Sequence, residues 1–410
     1  MVAFTRLHLL LPTIIALAAR ASGSPSYKPY PGNEDGPAKA IYFLTNEEEN
    51  GVVALPVQPD GTLAKGTITL TGGTGALHVD ANGQPATPDG LSSQSSITVA
   101  GHYVFVVNAG SNTLSLLTIH PEDPTKLKIV GEPAHLPGDF PNTVAVSFEN
   151  KLVCVGLTGA RSGISCGSFH HHGLGTFDEL RPFDLGQTTP PSGPPNTVSQ
   201  TLFSDDESLL ITLVKGNMAT NSTGFVSVYP VEDSHTKGNK AKSVSKTGTR
   251  SSPDGTMTLF GSQVIPGTSK VFVTDPSFGA TILSVDSSTY TSQSIFRTKI
   301  EGQMATCWLA ISPSTHTAFV ADGAVNRLVE LSLKDASVVS ILDLPGDDQG
   351  LFDMKAAGNF IYALAPNNGT IEAAVNVVDV SGGPGSAKQI QHFGLGGIAG
   401  DRAQGLAAFF

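Results

Sequence analysis

The clearest pattern of apolar and polar positions lies in Thr306–Leu344. Cys307–Ser312 is an apolar run, and Thr317–Ala321 follows after a Ser-Pro-Ser turn. Asn326–Leu333 alternates, with Leu328, Glu330 and Ser332 on one face and Val329, Leu331 and Leu333 on the other. Val338–Leu344 is a further run. Period-two alternation bounded by Gly, Asn, Asp and Pro predicts strands. Four strands within about 40 residues predict one antiparallel meander. A lone meander cannot bury both faces, so it needs copies to pack against.

Gln94–Leu136 repeats the order of strands and turns. Its second and third strands are joined through Asn108–Asn112, where the first unit has Asp322–Asn326. Asn46–Gly51, Asp275–Gly279 and Pro366–Thr370 hold the same place elsewhere. Asn, Asp and Gly suit turns that require positive φ or a side chain bonded to its own backbone. Inner strands are predicted to start near Gln94, Asn142, Val198, Met257, Cys307, Phe352 and Gln404. The resulting expectation is an all-β, seven-bladed β-propeller over residues 40–410. Gln404–Phe410 ends the chain without a following strand. It is expected to close the ring as the inner strand of the blade formed by Ala40–Leu70.

The N-terminus reads as a secretory signal over residues 1–21, with Arg6, an apolar Leu7–Ala19 and the small-x-small site Ala19-Arg20-Ala21. Residues 22–39 are a Pro- and Gly-rich leader. No later apolar run is long enough for a transmembrane helix. The expected location is extracellular or in a cell wall, and the expected state is a monomer. A net charge of −11 argues against nucleic acid, whose phosphates require a basic face.

Of the three cysteines, Cys154 and Cys166 lie symmetrically about Ala160. A hairpin turning there would set them opposite each other, either as a disulfide suited to an oxidising compartment or as two buried thiols. Cys307 is then a packed thiol. Asn221-Ser-Thr and Asn368-Gly-Thr are glycosylation acceptors in turns. Two segments exceed what a blade needs: Phe169–Pro195 with His170-His171-His172, and Glu232–Pro253 with Lys237, Lys240, Lys242, Lys246 and Arg250. Each reads as a solvated loop or as a rim over one mouth of the ring. No metal is expected: the three histidines lack a carboxylate or cysteine partner, and no EF-hand spacing occurs. No cofactor is expected either, since H-E-x-x-H and a phosphate loop are absent.

Val104–Ile119, Pro141–Val155 and Thr306–Gly323 resemble the lactonase-type seven-bladed β-propeller family. That family includes bacterial 6-phosphogluconolactonase and the fungal 3-carboxymuconate cyclases, and the likeness is greatest to its secreted branch. The resemblance covers Ala40–Phe410 and implies lactone or muconate chemistry. A phosphosugar would need an Arg/Lys cluster that the chain does not display.

In such a ring, the segments entering the inner strands meet at one mouth. They carry Gln94, Asn142, Gln200, Trp308, Gln349, Arg402 and Gln404, which are the candidate substrate contacts. Amides would bond a polyoxygenated ligand, and Trp308 would form an apolar wall. They could equally satisfy turn backbone. A cyclase or lactonase needs a group that moves a proton and a cation that holds a carboxylate or enolate. Asp353 and His135 are the candidate proton carriers, and Arg250 the candidate cation. The expected substrate is a small carboxylated lactone or muconate. The competing expectation is a non-catalytic secreted glycoprotein that binds a glycan or an extracellular protein.

Overall fold

The computed structural model describes Met1, residues 36–236 and residues 239–410. The signal sequence beyond Met1, the leader up to residue 35 and Lys237 lie outside the described residues. Seven antiparallel sheets surround one axis, and none of the described residues forms an α-helix. The inner strands are Ile97–Ala100, Pro141–Ser147, Val198–Phe203, Ser262–Val264, Thr306–Ser312, Met354–Ala357 and Gln404–Phe409. Numbered from the N-terminus, blade 1 combines Gln404–Phe409 with Ala40–Leu44, Gly51–Pro56 and Thr67–Leu70. Blades 2 to 7 then follow in chain order.

Ring closure takes the expected form. Ala40 pairs with Phe409, Ile41 with Ala408 and Tyr42 with Ala407. The backbone N–H of Lys39 extends this ladder by donating to the Phe409 carbonyl at 2.7 Å. Tyr42 and Leu44 face one neighbouring blade and Ile41 and Phe43 the other, and all four are fully buried. Alternation along each strand therefore feeds two inter-blade cores rather than one core and one wet face.

The strands of blade 6 run Thr306–Ser312, Thr317–Asp322, Arg327–Ser332 and Val338–Asp343, within a residue or two of the predicted runs. Three inner strands start later than predicted, because the residues before them are held as entry segments. Asp275 explains one case: its carboxylate accepts the backbone N–H groups of Met257 (2.7 Å) and Thr258 (3.0 Å), so the strand begins only at Ser262. Asp322 does the same for Met304 and Ala305.

The two long segments also gain definite structure. Val231 pairs with Val244 as the third strand of blade 4 runs past the ring and returns as a hairpin. This hairpin leaves from the face opposite the entry segments, so it does not cover the mouth they share. His170–His172 form the exposed tip of another hairpin on that same far face. Pro191–Gly193, by contrast, crosses the entry face and exchanges backbone bonds with Val79. Cys154 and Cys166 are register partners on adjacent strands of blade 3 and are joined as a disulfide.

Candidate functional site

The axis of the ring is filled by backbone. The long connection between Thr67–Leu70 and Ile97–Ala100 turns inward, and residues 89–96 enter the mouth as a plug. Polar groups of the plug bond to blades 1, 3, 4 and 6 around it. The Gln94 N–H donates to Ser199 O (3.0 Å), and its side-chain amide brackets Leu309, donating to the carbonyl at 2.7 Å and accepting the N–H at 3.3 Å. Ser93 Oγ donates to Asn142 O at 2.6 Å, and Ser95 O accepts the Val144 N–H at 2.8 Å. Gln200 Nε2 donates to Ser95 Oγ (3.0 Å), Trp308 Nε1 to Ser93 O (3.0 Å), and the Leu91 N–H to Gln404 Oε1 (3.2 Å). Asn142 Nδ2 donates to Leu91 O and Val198 O.

The plug carries backbone strain. Asp89, Ser92 and Ser95 have φ of 68°, 49° and 64°, although none is glycine. Such residues persist only where their surroundings over-determine them, and they gather at functional sites.

Beneath the plug lies a group of buried titratable side chains. Lys215 is 1 % exposed; its Nζ donates to Ser92 O at 2.5 Å and stands 4.6 Å from the Phe260 ring centre. Phe260, Trp308 and Phe352 stack in series, with ring centres 5.0 and 4.7 Å apart. His78 Nδ1 lies 3.1 Å from Ser92 Oγ. Among the described residues, Asp89 Oδ1 and Asp353 Oδ2 are enclosed without a hydrogen-bond partner.

Burial sets the electrostatics of this group. It pushes the Lys215 amine down from its ordinary range, and the nearby Asp89 carboxylate works against that shift. It pushes Asp89 up, opposed by Lys215. Asp353 rises to about 7, because burial outweighs the backbone N–H groups of Met354, Ser95 and Leu406 that favour its carboxylate. Burial also lowers His78 and raises the free thiol of Cys307.

Of the predicted site residues, Gln94, Asn142, Gln200, Trp308, Asp353 and Gln404 do converge at the axis. The five binding candidates among them hold the plug and do not line an open mouth. Trp308 is 1 % exposed and its indole N–H is spent on Ser93. The others lie elsewhere. Arg250 is exposed at the outer edge of blade 4, where it donates to Pro182 O and covers the Phe183 and Phe225 rings. His135 is exposed on the outer edge of blade 2, paired with Thr113. Arg250, His135 and Asp353 therefore share no cleft, and the expected catalytic set does not assemble. Gln349 is exposed, with only its backbone engaged by Asn367. Arg402 pairs with Glu47 at 3.0 Å beside an open hollow of about 550 Å³, whose walls include Glu48, Thr74, Leu77 and Pro190.

Lys215, His78 and Asp89 were not among the candidates. Lys215 did leave a trace in the sequence. Three other blades end their second strand in Asn108, Asp275 or Asp322, and Lys215 stands one residue past the end of Leu209–Val214. A cation in place of an acceptor breaks the repeat. Asn221 and Asn368 are exposed in turns between second and third strands, so both Asn-X-Thr sequons lie on the plugged face.

No protein-family model matches the sequence, and no curated protein matches it. Solved structures do. The chain is similar to the periplasmic gluconolactonase of Pseudomonas aeruginosa at 15% identity and a TM-score of 0.59, over 89% of this chain and 98% of that one. It is similar to a protein assigned as a 6-phosphogluconolactonase from Bacteroides fragilis at 11% identity and a TM-score of 0.56, over 92% and 99%. It is also similar to a hypothetical selenium-binding protein from Sulfolobus tokodaii at 10% identity and a TM-score of 0.60, over 92% and 96%. At these identities the likeness is one of fold, and proteins of different description share it. The chain therefore has a seven-bladed β-propeller fold, shared with gluconolactonases among others.

Proposed function

We propose that the chain is a secreted lactonase-like or 3-carboxymuconate cyclase-like enzyme, acting on a small carboxylated lactone or muconate at the plugged mouth. The observation that carries this reading is Lys215, buried within electrostatic reach of Asp89, which in turn feels the charge of Asp353; both carboxylates keep an oxygen that has no partner among the described residues. Amines and carboxyls displaced by burial in opposite directions are the usual makings of an acid–base site.

Withdrawal of the plug would release the Lys215 amine from Ser92 O, leaving it to pair with a substrate carboxylate. Asp353, held towards its neutral form, would supply the proton. In cyclisation, a substrate carboxylate oxygen bonds to one alkene carbon while the neighbouring carbon takes that proton. In lactone opening by the reverse path, the ionised carboxylate removes it and the ring C–O bond breaks.

The full chain would be incubated with 3-carboxymuconate and a panel of lactones. Turnover is expected, with kcat/KM falling on the order of 100-fold in both Lys215→Met and Asp353→Asn. Turnover unchanged in both variants, or none above buffer, would overturn the reading.

The plug itself favours a second reading. The buried amides of the mouth are already engaged by the chain's own backbone, as befits a non-catalytic secreted glycoprotein that binds a glycan or an extracellular protein. Binding on a glycan or matrix-protein array, with no turnover, would favour it. A mobility shift on enzymatic removal of N-glycans, lost in Asn221→Gln and Asn368→Gln, would establish the sugars.

A further inference from the structure

A second hollow, of about 590 Å³, opens between the segment entering blade 7 and that blade's outermost strand, Lys388–Gly394. At its back is a buried carboxylate. Asp348 is 6 % exposed; its oxygens accept Asn367 Nδ2 at 2.9 Å and Asn376 Nδ2 at 2.8 Å, and both lie within 3.2 Å of His392 Nε2. An ionised carboxylate only accepts hydrogen bonds, so Nε2 carries a hydrogen, and in the neutral imidazole Nδ1 is left as an acceptor. With both oxygens so surrounded, Asp348 is a positioning residue for the imidazole.

Among the described residues, the side-chain groups left available in this hollow accept hydrogen bonds. They are His392 Nδ1, the Asp347 carboxylate and Gln389 Oε1, an enclosed atom without a partner among the described residues. Gln389 Nε2 is spent on Asn376 Oδ1 at 2.6 Å, and Gln391 is spent on the Leu63 backbone. Neither lysine nor arginine lines the hollow, while Pro345, Ile371 and Ile390 give it an aliphatic wall. A ligand that fits must bring several N–H donors, a positive charge and a short apolar stem. An anion would meet only acceptors, and a neutral polyol would leave Asp347 without a counter-charge.

We infer that this hollow binds a primary alkylammonium group, supplied either by a free diamine or by a lysine side chain of a partner peptide. The net charge of −11 draws such cations towards the chain. The inference does not depend on the lactonase reading, since Lys215 and the plug take no part in it.

The full chain, at pH 8 and low salt, would be titrated calorimetrically with 1,5-diaminopentane, with a capped tripeptide containing one lysine, and with 1,5-pentanediol. Saturable binding is expected for at least one of the two amines. Binding of the diamine alone identifies a free amine as the ligand, and preference for the peptide identifies a side chain. Asp347→Asn and His392→Ala should each weaken it at least 10-fold without moving the melting curve, and Lys215→Met should leave it unchanged. Binding by neither amine would overturn the inference. So would a diol that binds as well as the amines, or an affinity indifferent to both Asp347 and His392.

Discussion

Asp353 shows how one residue joins the fold to its chemistry. It stands at φ 69°, where the entry segment bends into the inner strand of blade 7, and its Oδ1 accepts the Met354 N–H at 2.8 Å. Burial lifts its pKa from 3.8 to about 7. Between those values the folded chain holds a proton that the unfolded chain has released, so stability falls as pH rises from about 4 to about 7. Asp353→Asn removes this term. Its melting temperature should change less with pH across that window than the parent's, and scanning calorimetry at several pH values checks this. An unaltered pH profile would place the titrating group elsewhere. Lys215 has the opposite sign: its folded pKa is lowered, so its contribution rises as pH climbs towards the ordinary lysine range. Asp353 was a sequence candidate because it lies in an entry segment. Lys215 was not: its one trace, a cation where other blades end a strand in Asn or Asp, shows only when the repeats are set side by side.

The plug is the element that decides what the mouth is. Its polar side chains and backbone groups reach inner strands of blades 1, 3, 4 and 6 and Asp353 in the segment entering blade 7, so it acts as an axial clasp as well as a stopper. Gln94→Ala would strip the backbone N–H and C=O of Leu309 of their side-chain partner in a buried place, a loss of about 1–3 kcal/mol. Trp308, the sole tryptophan, bonds Ser93 and should report the change as red-shifted emission. A blue, unshifted spectrum with parent stability would show that the plug is not held at Gln94. The blade 3 hairpin is a second informative element. Its cysteines were legible as a facing pair because their spacing and the turn between them are local. Their location in a core beside Ile164, Phe183 and Leu210 was not. Cys154→Ala with Cys166→Ala should lower unfolding free energy by about 2–4 kcal/mol, measured by denaturant titration. Arg250 shows the opposite failure. Its position in sequence suggested the mouth, but Thr249–Ser251 pairs on the outside of Val226–Val228, so its guanidinium caps the seam between blades 3 and 4.

At the scale of the whole molecule, the ring depends on contacts between its two ends. Removal of Gln404–Phe410 would expose the inner edge of Ala40–Leu44, uncover the cores on both sides of blade 1 and take Gln404 from the plug. The truncated chain should lose its cooperative melting transition and show exposed Trp308 emission. A sharp transition near the parent's temperature would mean that closure contributes little. The plugged face also carries both Asn-X-Thr sequons, the Arg402 hollow and the hollow at His392, whereas the far face carries the projecting hairpins. Both hollows thus lie on the entry side, where segments from the blades meet.

The sequence by itself determined the strands, their order, the number of blades and the closing role of the last strand. Those features rest on period-two alternation and turn chemistry, which act between near neighbours and repeat along the chain. Only the tertiary structure decided what occupies the axis. Gln94 and Leu309 are 215 positions apart, and Leu91 and Gln404 are 313 apart. A Gln, Asn or Lys in an entry segment reads the same whether it greets a ligand or binds the chain's own backbone. The difference lies in which distant segment fills the space before it, and no periodicity encodes that.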